Sequence, residues 1–375
     1  MTRPTVRIER RLVQRRWLSI VVPLCSLLVA FAAIAVVLVA TGHAPGPTFR
    51  RLFDAAFLAD GALSNTLISA TPLAFTGLAA AVAFRVRLFN IGAEGQLYLG
   101  AIGAAGIALY LADQPTAVIV PAMIVVGAAA GAAWAAIPGL LRAFAHTNEI
   151  ITSLMLNYCA ALLLNYLIFD SQSYWRDDSA TGQLFPQGKT LADAATWPVW
   201  TVGSIAIPFG FVLGVAVAVV VWVLYARTRF GLEAQVIADS PRAARYAGMR
   251  TRRKIVAVLC LSGAIAGIGG ASQMGDFRHV LDARGLQQAN YGYTGIVVAA
   301  LARYNPFAVV LVAFLMGGLE NAGYTLQGAD FPSGLVGVMQ GIILFAMLGG
   351  ELLVRYRVAI DWPRRASAPA AEATS

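Results

Sequence analysis

Apolar residues in this chain come in long blocks separated by short charged or Pro/Gly-rich breaks. The first block, Trp17 to Thr41, carries no charged residue, and a bilayer-crossing helix needs only about 20 such positions. None of the blocks alternates apolar and polar residues with a period of two. Because only helices and closed barrels satisfy the backbone in hydrocarbon, the blocks read as helices. The pattern predicts an all-α polytopic membrane protein of about ten transmembrane helices, near 17–41, 62–84, 88–111, 116–141, 149–169, 203–225, 255–275, 290–302, 306–322 and 333–354, the eighth being short. The first block follows a basic start, as a signal peptide does. It exceeds the about 7–15 residues of a signal core and lacks a clean small-residue cleavage site, so it reads as a retained span.

Composition agrees with that pattern and adds an orientation. Of 375 residues, 58% are hydrophobic and 13% charged, against about 45–50% and about 25% in soluble domains. The net charge of +9 would suit a nucleic-acid partner if it were spread evenly, but it is not. With the amino terminus inside, 22 of the 28 Lys and Arg fall on cytoplasmic segments: six between Arg3 and Arg16, Arg85 and Arg87, Arg142, eight from Arg227 to Lys254, Arg303, and four from Arg355 to Arg365. The positive-inside rule then puts both termini in the cytoplasm and makes the charge topological. The expected organisation is a basic cytoplasmic segment 1–16, a transmembrane domain 17–354 with an outer loop 170–202 and a cytoplasmic loop 226–254, and a cytoplasmic tail 355–375, Ala/Ser/Pro-rich after Arg365, that is expected to be disordered. Cys25, Cys159 and Cys260 lie in different apolar blocks and read as packing residues.

The outer loop holds Asp170, Asp177, Asp178 and Asp193 with Tyr174, Trp175, Trp197 and Trp200, rings suited to a membrane interface. Its Gly188-Lys189-Thr190 is no phosphate loop, since Gly182 is one position too far upstream and no apolar strand precedes it. In the cytoplasmic loop, Ser240 suits a helix N-cap, Pro241 the first helical position and Gly248 the left-handed residue after the last turn. A short surface helix is therefore predicted over 241–247. On the residues alone it is either a docking element or an interfacial helix pinned to anionic lipid.

Polar residues at membrane depth are the other candidates. The third span opens Phe89-Asn90-Ile91-Gly92-Ala93-Glu94-Gly95-Gln96, with Tyr98 following. A carboxylate at the bilayer centre costs about 2.5–3.5 kcal/mol on insertion scales and should face a cavity or a partner. Gly92 and Gly95 weaken the helix, which suits a broken helix with Asn90 and Glu94 at a midplane site. The plainer reading pairs Glu94 with Arg85 or Arg87 at the cytoplasmic edge. In the fifth span, Asn148 and Glu149 are explained by capping and the helix dipole, while Asn157 lies deeper. Asn65, Glu320, Asn321 and Gln340 read as interhelical hydrogen-bonding residues. Small residues at four-residue spacing, Gly127 with Gly131, Gly210 with Gly214, and Gly263 with Gly267, read as close helix contacts. The sequence shows no nucleotide motif, metal cluster or nucleophile with a base, which disfavours an enzyme, and a single strong buried acid disfavours a proton pump.

Together these motifs resemble the permease subunits of ATP-binding-cassette importers, in the nucleoside and simple-sugar branch of the branched-chain amino acid/ribose-type permease family. The residues that carry the resemblance are 89–96, Asn148 to Tyr158, Asn290 to Ile296, Ala300 to Pro306, and the segments Thr228 to Gly231 and Arg245 to Gly248. The resemblance covers about residues 60–350 and implies a multi-pass subunit of the bacterial cytoplasmic membrane. Its implied partners are a cytoplasmic ATPase subunit or tandem ATPase, a second, related permease and an extracytoplasmic substrate-binding protein, with ATP and Mg on the ATPase and no cofactor on this chain. It also makes Ser240, Pro241, Arg242, Arg245, Tyr246 and Gly248 the ATPase-coupling segment. Chemistry places Phe89, Asn90, Glu94, Gln96, Tyr98, Asn157 and Tyr293 along the substrate path, amides and carboxylate binding ribose hydroxyls and aromatic rings covering a base. The competing reading is an ion-coupled secondary transporter of a small polar solute.

Overall fold

The computed structural model describes residues 5–10, 18–179, 182, 184, 186–327 and 334–361. All ten predicted spans are helical: α1 (Leu18–Ala40), α3 (Ala62–Phe84), α4 (Ala93–Tyr110), α5 (Thr116–Ala145), α6 (Glu149–Asn165), α7 (Phe209–Arg227), α10 (Thr251–Ser272), α12 (Tyr291–Leu301), α13 (Pro306–Leu326) and α14 (Gly334–Arg355). Helices that the hydrophobic pattern did not announce are α2 (Pro45–Phe53), α8 (Arg229–Asp239), α9 (Pro241–Tyr246, the capped helix) and α11 (Ala283–Ala289), all short or polar. Both α6 and α10 run on as π-helical turns, Tyr166–Asp170 and Gln273–Arg278.

Six of these helices, α6 and α10 counted with their π turns, are by themselves long and apolar enough to cross a membrane, and Leu24–Ala40 qualifies in combination with Pro45–Leu58. The shortfall from ten has physical causes. With 11 residues and a rise of about 1.5 Å per residue, α12 covers roughly half of a hydrocarbon core about 30 Å thick. The 18 residues of α4 open on Glu94 and Gln96. The chain is thus a multi-pass helical membrane protein, with short helices among the long ones.

It is not wholly α. Strand β1 (Thr5–Arg10) pairs antiparallel with β4 (Tyr356–Asp361) from Thr5 opposite Asp361 to Arg10 opposite Tyr356, and β2 (Val199–Val202) pairs with β3 (Ile205–Pro208). The first pairing joins the basic segment to the start of the tail that composition marked as disordered. In β1 the apolar Val6 and Ile8 alternate with the charged Arg7 and Glu9, the period of a strand. The tail beyond 361 lies outside the described residues. The second pairing occupies 203–208, so the sixth span begins at Phe209.

Contacts divide the chain into two compact units, Gly46–Gly337 and Met1–Pro45 with Val338–Ser375. In the smaller, Ala30, Ile34 and Leu38 form a buried face of α1 at the four-residue spacing of helical neighbours. In the larger, α5 and α10 meet through glycine. A Cβ on Gly131 would strike the carbonyl of Gly263, one on Gly267 the carbonyl of Gly127, and one on Gly100 the backbone of Gly267. The two spacings read as close contacts are therefore two sides of one interface. The third is different: Gly214 has only ordinary neighbours, and Gly210 leaves room for the Asp276 carboxylate, whose oxygens lie 3.1 and 3.4 Å from Gly210 N. Helix packing does not require that pair; the start of α7 does, because it takes its cap from the end of α10.

Candidate functional site

Between α3 and α4 the chain turns back through Arg87, whose φ is 59°, then runs irregularly to Gly92, the N-cap of α4. Backbone groups in such a stretch have no ladder partners and must find side chains. Helix α6 supplies them from one face, at positions 149, 153 and 157. Glu149 Oε1 lies 3.5 Å from Phe89 N, and its Oε2 pairs with Arg142 Nε at 3.1 Å. Ser153 Oγ accepts from Ile91 N at 3.2 Å. Asn157 accepts from Gly95 N and donates to Ile91 O, each at 2.9 Å. Asn90 turns inward, donating to Gln96 Oε1 and Ser262 Oγ at 2.9 Å, while its Oδ1 accepts from Gly92 N and Gln96 Nε2 at 2.9 Å. Ser262 donates in turn to the Ala79 carbonyl at 2.6 Å.

Glu94 does not pair with Arg85 or Arg87. Arg87 reaches Asp239 instead, at 3.3 Å. Glu94 Oε1 accepts from the Tyr98 hydroxyl at 2.6 Å, and Oε2 accepts from Gly292 N and, at 3.3 Å, from Tyr293 N. These are first-turn N–H groups of α12, which its own helix leaves unsatisfied. A carboxylate there also meets the positive end of the helix dipole. Glu94 on α4 therefore caps α12, and Gly292 is needed because a Cβ there would strike the Glu94 backbone.

Six of the seven path candidates thus share one hydrogen-bonded network. Asn90, Glu94, Gln96, Tyr98 and Asn157 are no more than 3% exposed, and half-buried Tyr293 joins through its hydroxyl, 3.2 Å from Asn157 Nδ2. The seventh, Phe89, stays outside it at 41% exposed, its ring 5.1 Å from that of Phe84. Of the three rings considered for a base, Tyr98 is enclosed, while Phe89 and Tyr293 keep accessible surface. Ser153 and Ser262 take part beyond the seven candidates, and Glu149, which capping alone explained in the sequence, serves the turn as well. The spacing of 149, 153 and 157 on one helix face was the available signal. Asn321 behaves as expected of an interhelical tie, with its amide 3.2 Å from Ala55 O, Ala62 O and Thr66 Oγ1.

The capped helix of the 226–254 loop forms as its residues dictate. Ser240 Oγ accepts from Ala243 N at 3.3 Å, Pro241 opens α9, and Gly248 has φ 75°. Ala244 is buried, whereas Arg242, Arg245 and Tyr246 are exposed, Tyr246 at 94%. Helix α8 precedes α9 and is tied to the first turn of α10 by Lys254 and Glu233, 2.7 Å apart.

In the outer loop two tryptophans are structural. Trp197 is buried, with Gly275 so close that a Cβ there would enter its ring. Trp175 donates to the carbonyl of Ile102, midway along α4, at 2.9 Å. Asp177 is held below the usual carboxylate range by the Ser179 backbone N–H and hydroxyl, and Lys189 pairs with Asp178 at 3.3 Å. No cluster of metal-ligating side chains occurs among the described residues.

Long apolar helices around a buried polar network define a polytopic membrane protein. The chain belongs to the family described as branched-chain amino acid transport system / permease component, whose model matches residues 62–348. Its relatives include the glucose ABC transporter permease protein TsgB13 of Haloferax volcanii, 33% identical over 98% of each chain. The nucleoside ABC transporter permease protein NupB of Lactococcus lactis is 27% identical over 95% of this chain and 96% of its own. The guanosine ABC transporter permease protein NupP of Bacillus subtilis is 30% identical over 88% and 93%.

Proposed function

We propose that this chain is the transmembrane subunit of an ATP-driven importer and forms the translocation path for nucleosides or related simple sugars. The observation that carries the reading is near end-to-end similarity to permeases named for a nucleoside, for guanosine and for glucose. These solutes share a neutral, hydroxyl-rich sugar. The network supports a neutral cargo, because Glu94 is occupied by Tyr98 and the start of α12 and offers no free charge to a solute. In this reading ten helices enter the bacterial inner membrane, with α12 as a half-span and both termini cytoplasmic. Phe89 and Tyr293 are the rings that meet the solute, and the buried amides hold the helices that carry those rings.

ATP and Mg belong to a cytoplasmic ATPase, and Arg242, Arg245 and Tyr246 on α9 are the contact through which its closure moves the bundle. A second permease and an extracytoplasmic binding protein complete the assembly. The test is to purify the chain with its partners from its native host and ask which solutes, presented on the binding protein, stimulate ATP hydrolysis. Stimulation by a nucleoside or sugar is the expected result. Uptake that persists without the ATPase and collapses with the ion gradient would instead establish an ion-coupled secondary transporter.

A further inference from the structure

Beneath α9, on the side facing the bundle, lies a cavity of about 610 Å³. It is bounded by the residues just after α3, the end of α5, the start of α10, and α8 with α9. Five cationic side chains line it: Arg87, Arg142, Arg245, Arg252 and Lys254. Among the described residues, no acidic one does. Three of the cations have carboxylate partners, Asp239, Glu149 and Glu233, but Arg245 and Arg252 have none among the described residues. The remaining wall includes Leu88, Ile237, Ile255 and Val258.

A second observation concerns the start of α10. Helix N-termini carry partial positive charge and favour acidic residues or a capping side chain. This 22-residue helix has neither, and its first turn reads Thr251-Arg252-Arg253-Lys254. Thr251, Arg252 and Lys254 of that turn face the cavity, so helix dipole and side chains concentrate positive charge on one partly open space. A helix N-terminus with unsatisfied N–H groups is a ready anion site. Arginine forks match phosphate oxygens in pairs.

We infer that this cavity is a binding site for a phosphate group, carried by an anionic phospholipid headgroup or by a free phosphate. The helices around it end where their spans end, which puts the cavity at headgroup depth. Its apolar wall suits the glycerol and first methylenes of a lipid, and basic pockets between helices on the cytoplasmic side are where such headgroups bind. A phosphate held by Arg245 of α9 and Arg252 of α10 would brace the exposed helix against the bundle. The site goes beyond the transport reading, and its test uses neither ATPase nor solute.

Native mass spectrometry of the delipidated full chain in detergent, with phosphatidylglycerol, phosphatidylcholine or inorganic phosphate added, decides it. One phosphatidylglycerol should stay bound, phosphatidylcholine should not, and Arg245→Gln with Arg252→Gln should weaken retention at least tenfold. Arg245→Gln alone changes one exposed side chain, leaves folding intact and should weaken it at least threefold. Arg242→Gln with Arg253→Gln, which removes equal charge outside the cavity, should leave retention unchanged. Inorganic phosphate bound with the same dependence on Arg245 and Arg252, without phosphatidylglycerol, would support the site and assign it to the free anion. Equal retention of both lipids, undiminished binding in the Arg245 and Arg252 variants, or equal loss in the outer pair would overturn the proposal.

Discussion

Two regions of this protein carry the polar residues that stand out in its sequence, and they use them in opposite ways. Around residues 89–98, amides, hydroxyls and a carboxylate are buried and answer one another across α4, α6, α10 and α12. On α9 the arginines and Tyr246 are exposed, and Ser240 caps the helix. A buried polar group costs heavily unless paired, so a paired cluster in lipid is first a piece of architecture. An exposed group without a partner in its own chain is free to meet another molecule. The contrast assigns stability to the first region and partnership to the second.

Four substitutions bear on that contrast. The largest effect is expected from Glu94→Ala, which strips two N–H groups of α12 of their acceptor in a buried place. Hydrogen bonds to a charged group contribute about 1.5–3 kcal/mol each, so the purified variant should melt well below the wild type in detergent; an unchanged midpoint would remove Glu94 from the architecture. Next comes Asn157→Ala, where Gly95 N and Ile91 O lose their partner, at about 1–3 kcal/mol by the same reasoning. Its melting curve should shift in the same direction by less. Ser240→Ala removes an N-cap worth about 1 kcal/mol from a six-residue helix. Faster amide exchange confined to 241–248, with no change in the global melt, is the expected signature. The smallest effect on stability belongs to Tyr246→Ala, within about 0.5 kcal/mol as for other exposed positions. That variant should nevertheless lose solute-stimulated ATP hydrolysis in the assembled importer, and full retention would break the contrast.

How far each region was legible in the sequence follows from the kind of interaction. Ser240, Pro241 and Gly248 act within a single turn of chain, so the capped helix could be read with nearly its observed bounds. The spans were legible because hydrophobicity is summed over many residues, and Ala62–Phe84 matches its predicted range. The partner of Glu94 was not legible. Arg85 and Arg87 are close in sequence, whereas Gly292 is made a neighbour only by the packing of α12. The partner of Ser262 was hidden for the same reason, since a lone hydroxyl in an apolar helix gives no hint of the groups it will meet. Trp197 was misjudged because an indole suits both a membrane interface and a buried site. Only the close approach of Gly275 decides between them.

The cap on α12 also bears on the order in which this protein is made. Glu94 and Gly292 are separated by 198 residues, and synthesis runs from the amino end. For all of that interval the carboxylate enters the membrane with Tyr98 and without the N–H groups it finally holds. A buried carboxylate costs more for each donor it lacks. The early helices are therefore an incomplete assembly that stays strained until the late half arrives. A chain truncated before Gly292 lacks more than its last helices: it leaves Glu94 with Tyr98 alone, without the two N–H groups that complete its shell.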